Sequence, residues 1–214
     1  YNERAVFIRE MTVTNLASRG RDIRVFFGQQ FEISKMHGGD TAYYDPESHA
    51  IIHYKGRRVF LISATIDGAP FQDFATGLAG FQGHEGTHKD AEDGALSKNP
   101  IEHGPADSVV GVYGTYEPLG SKTIEYSIVA AQSIPDAHEL SALLQEKTPA
   151  HIVKSTRDYW RAWVGAYKWH FEGLDPEAAA LFRRSLLYIR AHADQDGGIL
   201  ASLDSDMLNY GIDT

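Results

Sequence analysis

Residues 50–66, Ala50-Ile51-Ile52-His53-Tyr54-Lys55-Gly56-Arg57-Arg58-Val59-Phe60-Leu61-Ile62-Ser63-Ala64-Thr65-Ile66, decide the fold. Two runs rich in β-branched and aromatic residues flank Lys55-Gly56, where glycine tolerates the positive φ of a tight turn. The pattern predicts a hairpin with strands over 50–54 and 58–66. Val59-Phe60-Leu61-Ile62 has no polar face, which marks a central strand covered on both sides. Toward the N-terminus, Ile23, Val25, Phe27, Phe31 and Ile33 share one parity while Arg24, Gln30 and Glu32 take the other, with Phe26 the exception. Period-two alternation of this kind sets one face on a core and the other in water. Toward the C-terminus, strands over 109–116 and 122–131 flank Pro118-Leu119-Gly120, which predicts a second hairpin. In its later strand Ile124, Tyr126, Ile128 and Ala130 oppose Thr123, Glu125 and Ser127. Successive antiparallel strands with short connections predict a β-sandwich. The glycine-rich stretch over 66–107 has little periodicity and is expected to be ordered but irregular, anchored by Phe71, Phe74, Leu78 and Phe81.

The pattern changes at Ile134-Pro135. Asp136 and Glu139 have capping-box spacing ahead of Leu140, Leu143 and Leu144, which predicts a helix. Thr148-Pro149 predicts a second helix, with proline suited to the first helical position and Ile152, Tyr159, Trp160, Trp163 and Tyr167 on its apolar face. Asp175-Pro176 opens a third helix to about residue 193, closed by Gly197-Gly198. Leu181, Phe182, Leu186, Leu187, Tyr188 and Ile189 lie almost around its circumference, and such a helix requires neighbours on most sides. The chain encodes too few helices to surround it, so this helix is expected to belong to a larger helical assembly.

The 214 residues are 43% hydrophobic and 23% charged, a composition that folds rather than stays disordered. Twenty Lys and Arg stand against 29 Asp and Glu, a net charge of −9, which argues against nucleic acid as a partner. The absence of cysteine excludes disulfides, thiolate metal ligands and thiol nucleophiles. No apolar run approaches the roughly 20 residues of a membrane span, so no membrane partner is expected. No leader segment is visible and the cytoplasm is the favoured compartment, although the chain opens Tyr-Asn-Glu-Arg without methionine and reads as an excised piece.

Several patterns touch on chemistry. His84-Glu85-Gly86-Thr87-His88 matches the H-E-x-x-H spacing of zinc proteases, in which two histidines one helical turn apart bind the metal. Gly86 inside the motif and glycines on both sides favour a loop instead. Asp90, Glu92, Asp93 and Gly94 lack the alternate spacing of a calcium loop and read as a solvated acidic turn. His49 and His53 would share one side of a strand with backbones about 13 Å apart, too far to share a metal, and read as exposed strand histidines. Trp160, Trp163, Trp169, Tyr159 and Tyr167 could stack on sugar rings, but their helical spacing favours a core between domains. Asp204 and Asp206 are adjacent on one loop, whereas glycosidase carboxylates face each other across about 5–10 Å, so capping or turn formation is expected. Neither a nucleophile elbow nor a phosphate-binding glycine loop occurs.

Two groups of residues carry a resemblance. Gly39-Asp40-Thr41-Ala42-Tyr43-Tyr44-Asp45-Pro46 with His53-Tyr54-Lys55-Gly56-Arg57-Arg58, and Glu85-Gly86-Thr87 with Asp90-Ala91-Glu92-Asp93-Gly94 and Asn99-Pro100-Ile101, resemble the β-domain of prokaryotic glycoside hydrolase family 15. Tyr159-Trp160-Arg161-Ala162-Trp163, Arg184-Ser185-Leu186-Leu187 and Gly198-Ile199-Leu200-Ala201-Ser202 with Asp204-Ser205-Asp206 resemble that family's linker and first barrel helix. The resemblance implies an antiparallel super-β-sandwich over 1–133 lacking its first strands, a helical linker over 134–174, and over 175–214 the start of a truncated (α/α) barrel. It further implies a parent that hydrolyses α-glucosides such as starch, glucodextran or trehalose with inversion, using two barrel glutamates and no cofactor. Neither glutamate falls in this sequence, so no catalytic, substrate-binding or metal-binding residue is assigned, and the substrate partner is expected to meet the missing barrel. The alternatives are a stand-alone carbohydrate-binding β-sandwich and part of a related disaccharide phosphorylase.

Overall fold

The computed structural model describes residues 4–31, 33, 39–193 and 197–199. Asp204, Asp206 and the segment over 200–214 lie outside the described residues. In chain order the elements are β1 (Val6–Thr14), β2 (Arg21–Gln30), β3 (Asp40–Asp45), β4 (Ala50–Lys55), β5 (Arg58–Ile66), β6 (Ala69–Pro70) and β7 (Asp73–Leu78). The helical turn α1 (Thr87–Asp90) follows, then β8 (Ile101–Gly104), β9 (Ala106–Tyr116), β10 (Ser121–Ala131), α2 (Ile134–Lys147), α3 (Pro149–Gly165) and α4 (Pro176–Ala191). They form two compact units, Tyr1–Val153 and Lys154–Thr214.

In the first unit a larger antiparallel sheet has the order β1-β10-β5-β4-β3-β8, with β6 appended to β5, and a smaller one has the order β2-β9-β7. The chain is therefore an antiparallel sandwich followed by helices. Between the sheets, Ile51, Ile62, Ala64, Ile66, Phe71, Val110, Val112, Tyr116, Ile124 and Tyr126 form the main core. The opposite face of the larger sheet is covered by α2 and the start of α3, where Ile52, Val59, Leu61 and Val129 meet Ala137, Leu144 and Ile152. Burying each such aliphatic side chain stabilises the fold by about 1.5–3 kcal/mol. β5 is apolar on both faces because it supplies residues to both layers. Phe26, the exception to the β2 alternation, also has a cause. The outer face of the smaller sheet is covered by the 79–100 excursion, and Phe26 packs there against Ala75, Leu96 and Val109.

Four local expectations change. The strands flanking Pro118-Leu119-Gly120 do not pair with each other: β9 belongs to the smaller sheet and β10 to the larger. The connection is a crossover at one end of the sandwich, beside the β1–β2 connection that makes the same crossing. Asn15, 2% exposed, ties the two together. Its Nδ2 donates to the carbonyls of Arg19 (2.8 Å), Glu117 (3.0 Å) and Tyr116 (3.4 Å), and its Oδ1 accepts from the Ala17 N–H at 3.0 Å. Helix α2 starts earlier than the Asp136–Glu139 spacing predicts. Ser133 is the cap, accepting from the Asp136 N–H at 3.2 Å, and proline follows in the first turn. The 66–107 stretch holds regular pieces, notably β7, which pairs with β9, and Phe81 is exposed rather than anchoring. Helix α4 is closed at His192, whose N–H reaches the carbonyls of Tyr188 and Ile189, ahead of Gly197.

Candidate functional site

The excursion is held to the smaller sheet by carboxylates that accept backbone donors. Asp107, on β9, takes the Thr87 N–H at 2.6 Å and the Thr87 hydroxyl at 2.9 Å. Asp73, on β7, takes the Leu96 N–H at 3.1 Å and the Tyr113 hydroxyl at 2.7 Å. Burial first, then this hydrogen bond to Asp73, pushes the Tyr113 phenol upward. Arg24 lies over the Tyr113 ring at 5.0 Å and donates to the Gly94 carbonyl. The H-E-x-x-H residues sit in this excursion. Gly86 has φ of 117°, which interrupts any helix between His84 and His88, so the two rings are not placed one helical turn apart. Asp90 and Asp93 accept the backbone N–H groups of Ser97 (2.8 Å) and Ala95 (2.9 Å), while Glu92 pairs with Lys89 at the surface. These acids build the turn.

The histidines of the hairpin differ from expectation. His53 is 1% exposed and faces the smaller sheet. Its Nε2 lies 2.7 Å from the Ser108 hydroxyl, which donates onward to Gln29 Oε1 at 2.9 Å. Because that hydroxyl proton goes to Gln29, His53 donates from Nε2 and its Nδ1 carries a lone pair. Nδ1 is buried without a hydrogen-bond partner among the described residues, and Phe31 packs edge-on at 5.1 Å. Burial pushes the imidazole pKa down to about 4. A buried polar bridge between sheets carries no signal in strand alternation, which reports only that position 53 faces a side. His49 lies in the β3–β4 turn with φ of 49°, joined to the Tyr44 hydroxyl and the Phe71 carbonyl at 2.9 Å each. Nearby, Asp45 gathers Ser48 and, at 2.9 Å, His138 of α2. Burial alone would raise this carboxyl, but the hydrogen bonds from Ser48, His138 and Glu47 outweigh it and hold the pKa below the usual value.

Two of the concavities among the described residues bear on function. In the first unit a cleft of about 520 Å³ runs along β10 and α2, lined by Ser48, Glu125, Ser127, Ser141 and Gln145 among others. Burial, reinforced by Glu10 directly across the β1–β10 ladder, raises the Glu125 pKa. Sequence reading did not single out Glu125, which looks like any outward strand carboxylate. The two carboxyls are sheet neighbours on the same ladder, so they do not face each other across a gap where a glycosidic bond could sit.

In the second unit, a groove of about 650 Å³ lies between α3 and α4, with Trp160 and Leu187 in its wall and four arginines around it. The aromatic side chains of α3 and the following loop make a cluster. Trp160 meets Trp163 edge-on at 6.0 Å, Trp169 meets Phe182 at 5.0 Å, and the Trp169 indole donates to the Val164 carbonyl at 3.0 Å. Tyr159 and Tyr167 are exposed.

No family model matches the chain, and no curated protein matches it. Among solved structures, a bacterial glucoamylase complexed with acarbose superposes with a TM-score of 0.60 at 10% sequence identity, covering 89% of this chain. The chain spans 29% of that protein's length. At that identity the likeness is one of fold, and the chain has a glucoamylase-like fold, a sandwich followed by helices.

Proposed function

We propose that this chain is the N-terminal portion of a family 15-type glycoside hydrolase that releases glucose from α-glucosides with inversion. In this reading 1–133 is the β-domain, 134–174 the helical linker and 175–214 the beginning of the (α/α) barrel. The observation that carries it is the correspondence with the glucoamylase fold over 89% of this chain and 29% of that one. Supporting it, α4 leaves Leu181, Tyr188 and Ile189 each about 60% exposed, as a helix built to be enclosed by others would. Inverting hydrolysis needs one carboxylic acid to protonate the leaving oxygen and a carboxylate, about 6.5–9.5 Å away, to activate water on the opposite face of the sugar. The parent's catalytic glutamates are assigned to the barrel beyond these residues, and the role of this chain is to brace that barrel.

The test is glucose release from maltose, isomaltose and trehalose. The 214-residue chain should give none above the blank, and the longer gene product should release β-glucose first, followed by NMR of the fresh anomer. Robust turnover by the 214 residues, or α-glucose as the first product, would overturn the reading. Phosphate-dependent turnover would assign the parent to the disaccharide phosphorylases instead. The hydroxyl-, amide- and carboxyl-lined cleft beside β10 favours one second reading, a stand-alone carbohydrate-binding module. Saturable heat on titration with maltooligosaccharides, lost in Glu125→Ala, would support it.

A further inference from the structure

The outer face of the larger sheet is apolar where Val59, Leu61 and Val129 meet α2, and polar beside it. The register sets Ile8, Ser127 and Ser63 in one row across β1, β10 and β5, and Glu10, Glu125 and Thr65 in the next row on that face. Four of these side chains, Ser63, Thr65, Glu125 and Ser127, line the floor of the cleft of about 520 Å³. Cβ atoms facing each other on neighbouring strands lie about 5 Å apart, and alternate residues along a strand about 7 Å apart. The four polar groups therefore mark a rectangle of about 5 by 7 Å, the scale of the substituents on one pyranose ring. From the wall, Ser141 and Gln145 of α2, four residues apart on one helix face, add a hydroxyl and an amide.

Charge in the cleft is of one sign. Glu47 and Glu125 line it, and no Lys or Arg does among the described residues. Its imidazole, His49, has both ring nitrogens engaged, one by the Tyr44 hydroxyl and one by the Phe71 carbonyl. Glu125 is half-buried and accepts from the Thr65 hydroxyl at 3.4 Å, and the charge that bears on it is a second carboxylate, Glu10. Two carboxylates side by side repel, and a positively charged occupant relieves the repulsion. A bare metal ion does not fit: hard cations take six or more oxygens at about 2.0–2.6 Å, and no cluster of three metal-ligating side chains occurs among the described residues. The volume is that of a site for an organic molecule. A neutral sugar would use the hydroxyls but leave the carboxylate pair uncompensated, and a plain alkylammonium ion would do the reverse. We propose that this cleft binds an amino sugar, one ring seated over Ser63, Thr65 and Ser127, its protonated amine donating to Glu125 and its hydroxyls bonding to the serines and Gln145. The inference rests on the chemistry of the cleft and holds whichever reaction the parent carries out.

The test titrates the full, isotope-labelled chain with glucosamine, N-acetylglucosamine, glucose and n-butylammonium, at about pH 6.5, below the ordinary range of an α-amino group. Glucosamine should give saturable shifts of the Ser63, Thr65, Glu125 and Ser127 amides, weakened as salt rises from about 0.05 to 0.5 M. The two uncharged sugars and the plain amine should each bind at least about tenfold more weakly. In Glu125→Gln, which keeps the shape and removes the charge, glucosamine should lose at least about tenfold in affinity, with far-UV circular dichroism matching the parent chain. No saturable shift at those four amides, indifference to Glu125→Gln, or n-butylammonium binding as tightly as glucosamine overturns the proposal. Calcium ions reproducing the same shifts also overturn it. Glucose binding as tightly as glucosamine overturns it too, while leaving the carbohydrate-module reading of the cleft intact.

Discussion

His53 shows how one buried ring couples the sheets to pH. Its Nε2–H is committed to Ser108, and a proton arriving at Nδ1 would find no acceptor among the described residues, in a site with almost no solvent. The folded pKa of about 4 therefore lies below the ordinary value of about 6.5. The unfolded chain takes up a proton as pH falls through about 6.5, and the folded chain refuses it until about 4. The stability carried by neutral His53 is present above about pH 6.5 and is lost progressively toward pH 4, by up to about 3 kcal/mol. Urea unfolding between pH 4 and 7 should show the stability of His53→Gln falling less steeply than that of the parent chain, and parallel slopes would refute this. Asn15 acts by hydrogen bonding alone. Asn15→Ala leaves three carbonyls short of a donor and should cost about 1–3 kcal/mol in urea unfolding at neutral pH. Asn15→Asp should cost more, because it sets a carboxylate among those carbonyls. An alanine variant as stable as the parent, or an aspartate variant more stable than the alanine one, would show that the two crossovers hold without it.

At the scale of elements, the decisive difference lies between two turns that look alike in sequence. Gly56-Arg57, one residue later than the sequence pattern suggests, closes the β4–β5 hairpin, while Pro118-Leu119-Gly120 sends β10 to the other sheet. Both segments satisfy turn chemistry. The difference comes from long-range partners: the Leu119 N–H goes to the Ala17 carbonyl, and the Gly120 carbonyl accepts from the Asn15 N–H. The 79–100 excursion is likewise organised by distant groups on β7 and β9. Gly86 combines φ of 117° with a position where an added Cβ would lie 2.7 Å from Asp107 Oδ2. Gly86→Ala should therefore break the Asp107–Thr87 pair, lower stability by about 1–3 kcal/mol and speed amide exchange at Thr87. Unchanged protection at Thr87 would place the hold on the excursion elsewhere.

For the whole molecule, all three tryptophans, Trp160, Trp163 and Trp169, lie in the Lys154–Thr214 unit, whereas every strand among the described residues lies in Tyr1–Val153. Tryptophan fluorescence and far-UV circular dichroism near 217 nm thus report different units. The helical unit exposes much of its apolar surface while the β-unit has three buried clusters, so fluorescence should move at lower urea than the strand signal. Coincident transitions would mean that the two units unfold as one. The strand-then-helix order, the β4–β5 hairpin, the two-faced burial of β5 and the starts of α3 and α4 were legible because each depends on side chains within a few residues of one another. Periodicity, proline and caps act at that range. The candidate sites were far less legible. The His53–Ser108–Gln29 bridge, the Asp107–Thr87 pin and the arginine ring of the α3–α4 groove join residues from separate elements. Alternation and helical spacing determine which way a side chain faces, and only chain closure determines what it meets there. Alone, the sequence determined that the chain forms an antiparallel sandwich followed by underfilled helices. The tertiary structure alone decided which strands share a sheet, which histidine is dry and where positive charge gathers, because pairing, burial and field depend on distances through space that order along the chain does not encode.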